Sequence, residues 1–239
     1  MHLFKALLIS LPVYLFTNNL LAQEVEPAPV SGGLPKERLR VELNAGMGQL
    51  MFKNDPDWNE FQKEYGKRIR GGTCLDGSIT YFPVESFGIG VKAGTFYANH
   101  KVGSLKIPVT DSTYTIGDIS DNIKLLFCGL NLVYRKRSVE IPGNAFYFST
   151  AIGYTIYNNY GSMVVPIKLS GMAPGFCFGV GYDLLITRYL SVGAGANLWT
   201  AVLKEVDFSD GTKSETLKLD RRSGNLLRGT LTAGFRYTL

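Results

Sequence analysis

Residues 228–239 read RGTLTAGFRYTL. Every second residue belongs to one of two sets. Leu231, Ala233, Phe235, Tyr237 and Leu239 are apolar; Thr230, Thr232, Gly234, Arg236 and Thr238 are small or polar. Side chains alternate across a strand, so this period predicts a strand with one greasy face. A strand of about 9–11 residues, tilted by about 45°, crosses a bilayer. An apolar face toward lipid and a polar face toward a lumen is the pattern of a membrane barrel strand. The apolar phase runs to Leu239, as expected of a strand that closes such a barrel.

The same alternation recurs upstream. A first strand is predicted at about 38–50, with Leu39, Val41, Leu43, Ala45 and Met47 outward. A second spans about 72–82, with Leu75, Ile79 and Tyr81 outward. The third, about 86–97, turns Phe87, Ile89, Val91 and Ala93 outward. The fourth, about 123–134, is apolar on both faces at Leu125, Leu126 and Phe127. Gly129 and Asn131 suit a lumen, so Leu126, Cys128, Leu130, Leu132 and Tyr134 are assigned outward. The fifth (about 145–157), sixth (about 174–183) and seventh (about 189–200) follow the same rule. Long connections follow strands one, three, five and seven, at 51–71, 98–120, 158–171 and 201–225; short ones follow two, four and six. Outer-membrane barrels have this asymmetry, with short periplasmic turns and long extracellular loops. The expected fold is all-β, an eight-stranded antiparallel up-and-down transmembrane β-barrel. An open edge in lipid would leave backbone groups unpaired, so the sheet must close.

The pattern resembles the small eight-stranded outer-membrane barrels, the OmpA/OmpX-like family. That family usually ends on an aromatic residue, where this chain has Leu239. The resemblance implies outer-membrane lipids as surroundings and a barrel assembly machinery that reads the C-terminal strand. It also implies either a structural or surface-interaction role through extracellular loops, or a narrow porin-like channel. Small barrels of similar architecture include lipid-modifying enzymes, which need a His with a Ser near the outer leaflet. His100 and Ser104 lie near the top of the third strand, but a lone loop histidine is ordinarily solvated. No enzyme activity is expected.

The rest of the chain fits an exported protein. Residues 1–22 read as a signal peptide, with Lys5 before the apolar run 6–16 and a cleavage site after Ala22. Residues 23–37, with prolines and Ser-Gly-Gly, read as a flexible periplasmic lead-in, and 38–239 as the barrel domain. Mean hydropathy of +0.04 is far below that of a helical membrane protein. A barrel looks unremarkable in bulk because its two faces cancel. A net charge of +5 is spread along the chain, with no basic cluster interleaved with stacking aromatics, so nucleic acid is not an expected partner. Cys74, Cys128 and Cys177 are too few and too widely spaced for a disulfide framework or a metal site. Gly193-Ala194-Gly195 lacks the third glycine and the following helix of a dinucleotide motif. No cofactor is expected. A soluble barrel would carry Lys and Glu freely on its polar face. Here that face is small, with Gly88, Gly90, Gly94, Gly175, Gly179, Gly181, Gly193 and Gly195.

Six charges fall on the inward phase: Arg40, Glu42, Asp76, Lys92, Asp183 and Arg236. Isolated buried charges are expensive, so they are expected to pair in a structural polar network. A turn at Pro83–Glu85 that sets Tyr81 opposite Phe87 would place Asp76 opposite Lys92. Closure would bring Glu42 near Arg236. An eight-stranded lumen is only just wide enough for its side chains, so a plug is expected rather than a water channel. Among the loops the first, with Trp58, Phe61 and Tyr65, looks most adhesive. Its extracellular ligand or protein is not specified by composition.

Overall fold

The computed structural model describes residues 38–51, 66, 69–110, 113–139, 141, 143–163, 165–219 and 224–239; the side chains of 102–118 and 163 are excepted. The expected signal peptide and lead-in, and most of the expected first loop, with Trp58, Phe61 and Tyr65, lie outside the described residues.

Ten strands form in chain order: β1 (Leu39–Leu50), β2 (Gly71–Val84), β3 (Phe87–Thr110), β4 (Thr113–Arg137), β5 (Ala145–Met163), β6 (Val165–Leu185), β7 (Leu190–Ala201), β8 (Glu205–Ser209), β9 (Ser214–Lys218) and β10 (Arg228–Thr238). Eight of them close a ring, β1-β2-β3-β4-β5-β6-β7-β10, with every pairing antiparallel. β8 pairs with the upper part of β6, and β9 pairs with β8.

The seam is the pairing of β10 with β1, unbroken from Arg40↔Thr238 to Leu50↔Arg228. It is fastened at the bottom by Arg38 and Leu39, whose backbone N–H groups donate to the Leu239 carbonyl at 2.7 and 2.9 Å. Alternation decides the faces. Leu43, Met47, Leu75, Ile79, Ile89, Leu130, Ile152, Phe176, Leu231 and Phe235 are all exposed on the outer wall. So wide a belt of large apolar side chains would be insoluble in water and is what lipid requires. The outward assignments in the fourth strand hold: Leu126, Leu130 and Leu132 are exposed, while Leu125 and Phe127 are 1% exposed inside. Apolar residues on both faces of β4 thus have separate causes, lipid outside and lumen packing inside.

Three expectations are corrected. The connections at 98–120 and 158–171 are largely not loops. β3 with β4, and β5 with β6, run on as paired ribbons well past the apolar belt. Ser, Thr, Gly, Asn and Pro recur through these stretches and read as loop, although the backbone pairing runs on. The connection at 201–225 contains the β8–β9 hairpin, whose Val206 packs with Leu203, Ala173 and Ala201. Lastly, the β2–β3 turn is shorter than expected, because β2 continues through Pro83 to Val84 and pairs it with Phe87. A bulge between Tyr81 and Val84 then sets Tyr81 opposite Ile89, two positions from the expected partner.

Candidate functional site

The lumen is stacked in layers. At the periplasmic end, Phe82, Val133, Ala145 and Tyr147 form an apolar cluster, with the Arg135 guanidinium 4.2 Å from the Phe82 ring centre. Higher up, Phe127, Ala151, Cys177 and Trp199 form a second apolar layer. Phe127 and Trp199 meet edge to face at 5.0 Å, a favoured aromatic geometry. Gly94 lies under this layer by necessity: a Cβ there would come within 2.8 Å of the Trp199 ring. Above it, Leu50, Cys74, Phe96, Ala98, Ile123 and Leu125 close the upper lumen.

Between the first two layers lies the charged one. Each of the six inward charges faces the lumen; all but Glu42 are at most 5% exposed. Asp183 on β6 is the hub. Its Oδ2 accepts a hydrogen bond from Arg40 Nη2 at 2.8 Å, and its Oδ1 pairs with Arg236 Nε at 2.9 Å. Glu42 bridges the same two arginines from the other side, touching Arg40 Nη1 and lying 3.6 Å from Arg236 Nη2. Glu42 and Arg236 are register partners across the seam. Arg236 Nη1 also donates to the carbonyls of Gly193 (2.8 Å) and Gly234 (2.7 Å). Glycine at 193 makes room for this, since a Cβ there would collide with Asp183. Arg40 stacks on Tyr147, 4.0 Å from the ring centre.

Asp76 and Lys92 are not partners. The corrected register puts Asp76 opposite Gly94 and Lys92 opposite Ser78. Asp76 Oδ1 accepts from Asn44 Nδ2 at 3.0 Å. Lys92 donates to Asn197 Oδ1 at 2.8 Å, beneath the Trp199 ring at 5.2 Å. A register shift of two preserves which face a side chain takes and changes only what it meets. Asn44 and Asn197 are therefore the adaptors of the network. Asn44 was legible as inward, but nothing in the sequence marks it as a carboxylate partner. Asn197 comes from β7, across the lumen.

Three cations (Arg40, Lys92, Arg236) balance three anions (Glu42, Asp76, Asp183), so the layer is neutral. Only a cavity of about 30 Å³ remains within it, lined by Arg40, Glu42, Lys92, Asn131, Asn197 and Arg236 among others. That is room for a few water molecules at most. Two further buried cations were missed from the sequence, Arg135, against Phe82, and Arg228. Arg228, 2% exposed, lies 4.9 Å from the Trp199 ring and 5.5 Å from Phe96. Aromatic faces hold its charge in place of a carboxylate.

The other candidates fall outside this cluster. His100 lies in the extended part of β3, opposite Asp121 in register. The Ser104 side chain is outside the described residues. Cys74 and Cys177 are buried, Cys128 is exposed on the outer wall, and all three are free thiols.

A closed eight-stranded ring, a lipid-facing apolar belt and a packed polar interior define an outer-membrane β-barrel. Comparison with solved structures agrees on the fold. OprG of Pseudomonas aeruginosa superposes with a TM-score of 0.52 at 16% identity, covering 85% of this chain and 97% of its own. Neisserial surface protein A gives 0.48 at 13% identity, with 84% and 97% covered. The outer membrane protease OmpT of Escherichia coli gives 0.45 at 10% identity, with 88% and 99% covered. No protein-family model matches the chain, and no curated protein matches it by sequence. At these identities the likeness is one of fold, consistent with the resemblance to small outer-membrane barrels.

Proposed function

We propose that the protein is a plugged outer-membrane anchor, exported by the signal at residues 1–22 and inserted by the assembly machinery through its C-terminal strand. It presents its tall extracellular ribbons and loops to a ligand or protein outside the cell. The filled lumen carries this reading. A charged layer lies between apolar ones, with room left for a few waters at most. Arg40, Glu42, Asp76, Lys92, Asp183 and Arg236 act here as a structural network that holds the ring round and rigid. Rigid scaffolds with variable loops are the usual platform for recognition.

The test is reconstitution in planar bilayers. The expected result is no stable conductance; discrete, long-lived channels would overturn the plug and favour a pore. Assembly is tested in cells by removing Tyr237–Leu239. The truncated chain should fail to reach its heat-resistant, protease-protected form. Normal insertion would show that the machinery does not read this end.

A further inference from the structure

On the outer wall, the last apolar row toward the extracellular end is continuous across three strands: Leu126 pairs with Ile156, and Ile156 with Met172. Two residues higher the next row runs Tyr97↔Lys124, Lys124↔Asn158 and Asn158↔Ser170. Lys168 stands two residues beyond Ser170 on β6, with its ammonium 5.6 Å from the Tyr160 ring centre. Lys101 is exposed on the same face of β3. Asn99 donates to the Tyr97 hydroxyl at 3.3 Å, adding amide and phenol groups to the patch. Among the described outward side chains of β3–β6 above the belt there is no Asp or Glu. Asp121 belongs to the inward phase, held by Asn159 at 2.6 Å. Asp207 on β8 is the register partner of Ser170 at the edge of this row, and it accepts from Thr216 Oγ1 at 2.9 Å. At the same height β1, β2, β7 and β10 present Gln49, Thr73, Gly71, Thr200 and Gly229, with no cation.

We propose that this patch binds the phosphorylated headgroup of an outer-leaflet glycolipid, with Lys124 and Lys168 as the phosphate ligands. The inference rests on the outer-membrane reading and adds a specific lipid contact to it. Two strand spacings and two residues of rise separate the lysine Cα atoms by about 12 Å. With flexible arms, that lies within reach of two phosphates on one sugar headgroup. Lysine stems can lie along apolar surface while their heads sit at the interface. The row directly beneath is apolar, so one molecule can place its phosphates on the lysines and its acyl chains on Leu126, Ile156 and Met172. A soluble polyanion would use the lysines but not that row.

The experiment uses the full barrel in phosphatidylcholine nanodiscs, titrated with a diphosphorylated, acylated glucosamine disaccharide. Lysines next to an anionic surface contribute roughly fivefold each, so the Lys124→Gln, Lys168→Gln double variant should bind about thirtyfold more weakly. The dephosphorylated lipid should bind wild type no better than the variant, and added salt should weaken wild type more. Insertion is scored separately by heat-dependent gel mobility, so the loss is read only in fully inserted protein. Unchanged affinity in the double variant would overturn the proposal. So would equal binding of the dephosphorylated lipid, or a soluble sulfated polysaccharide that binds as tightly as the lipid.

Discussion

The barrel has a low wall and a high one. β1, β2, β7 and β10 are 12, 14, 12 and 11 residues long; β3, β4, β5 and β6 are 24, 25, 19 and 21. Low-wall strands stop close to where the lipid belt stops. High-wall strands continue into water as paired ribbons, braced on one side by β8 and the Val206 cluster. The lengths have different physical causes. In lipid every backbone group must be paired and every outward side chain apolar, which sets a minimum span. In water nothing sets the length except cross-strand pairing and packing. The low wall also contributes most of the charged layer, with Arg40, Glu42, Asn44, Asp76 and Arg236. The high wall contributes Lys92 and the hub Asp183. The network therefore ties the two walls together across the lumen.

The strongest way to break that tie is Asp183→Leu. Arg40 and Arg236 would lose their shared carboxylate in a buried site. Breaking a buried pair by removing one partner costs about 3–5 kcal/mol. Urea unfolding in lipid vesicles should show a loss of that size; a change below 1 kcal/mol, on the order of an exposed pair, would mean the layer is solvated. Next comes the belt. Ala233→Arg, deep on the low wall, should cost about 2–4 kcal/mol, against about 0–1 kcal/mol for Tyr237→Arg near the periplasmic interface. Equal costs would mean that the belt is centred elsewhere.

A smaller effect separates the corrected register from the expected one. Lys92→Met leaves Asn197 Oδ1 without its donor and should cost roughly 1–3 kcal/mol. Adding Asp76→Leu should not rescue it, because Asp76 bonds to Asn44 instead. Substantial rescue in the double variant would restore the register with Asp76 opposite Lys92. The smallest effect lies in the β8–β9 turn. Asp210 Oδ1 accepts from the Thr212 and Lys213 backbone N–H groups at 2.9 and 2.7 Å and from the Thr212 hydroxyl at 2.7 Å. The backbone bond from Lys213, then those from Thr212, hold its carboxyl below the ordinary range. The depressed value means that the contribution is complete above the unfolded pKa and is lost as pH falls through the folded one. Amide protection at Thr212 and Lys213, taken relative to the intrinsic exchange rate at each pH, should therefore fall on acidification while the barrel stays intact. Protection that does not change across that range would remove Asp210 from the turn.

Much of the membrane part was legible in sequence. Leu231, Phe235 and Leu239 alternate with Thr230, Arg236 and Thr238, and a period of two has only two possible faces. Lipid admits only the apolar one, so strand number, inward charges and outward rows follow from the residues themselves. What required the tertiary structure was everything decided by register and by water. A bulge after Tyr81 moved Lys92 from Asp76 to Ser78 without changing its face, and no hydropathy pattern records such a shift. Asn197 became the lysine's partner because β7 faces β3 across the lumen, a distance in space and not along the chain. The ribbons above the belt and the β8–β9 hairpin were unreadable for a related reason. Ser, Thr, Asp and Gly recur in both and read as loop, although the backbone pairing continues.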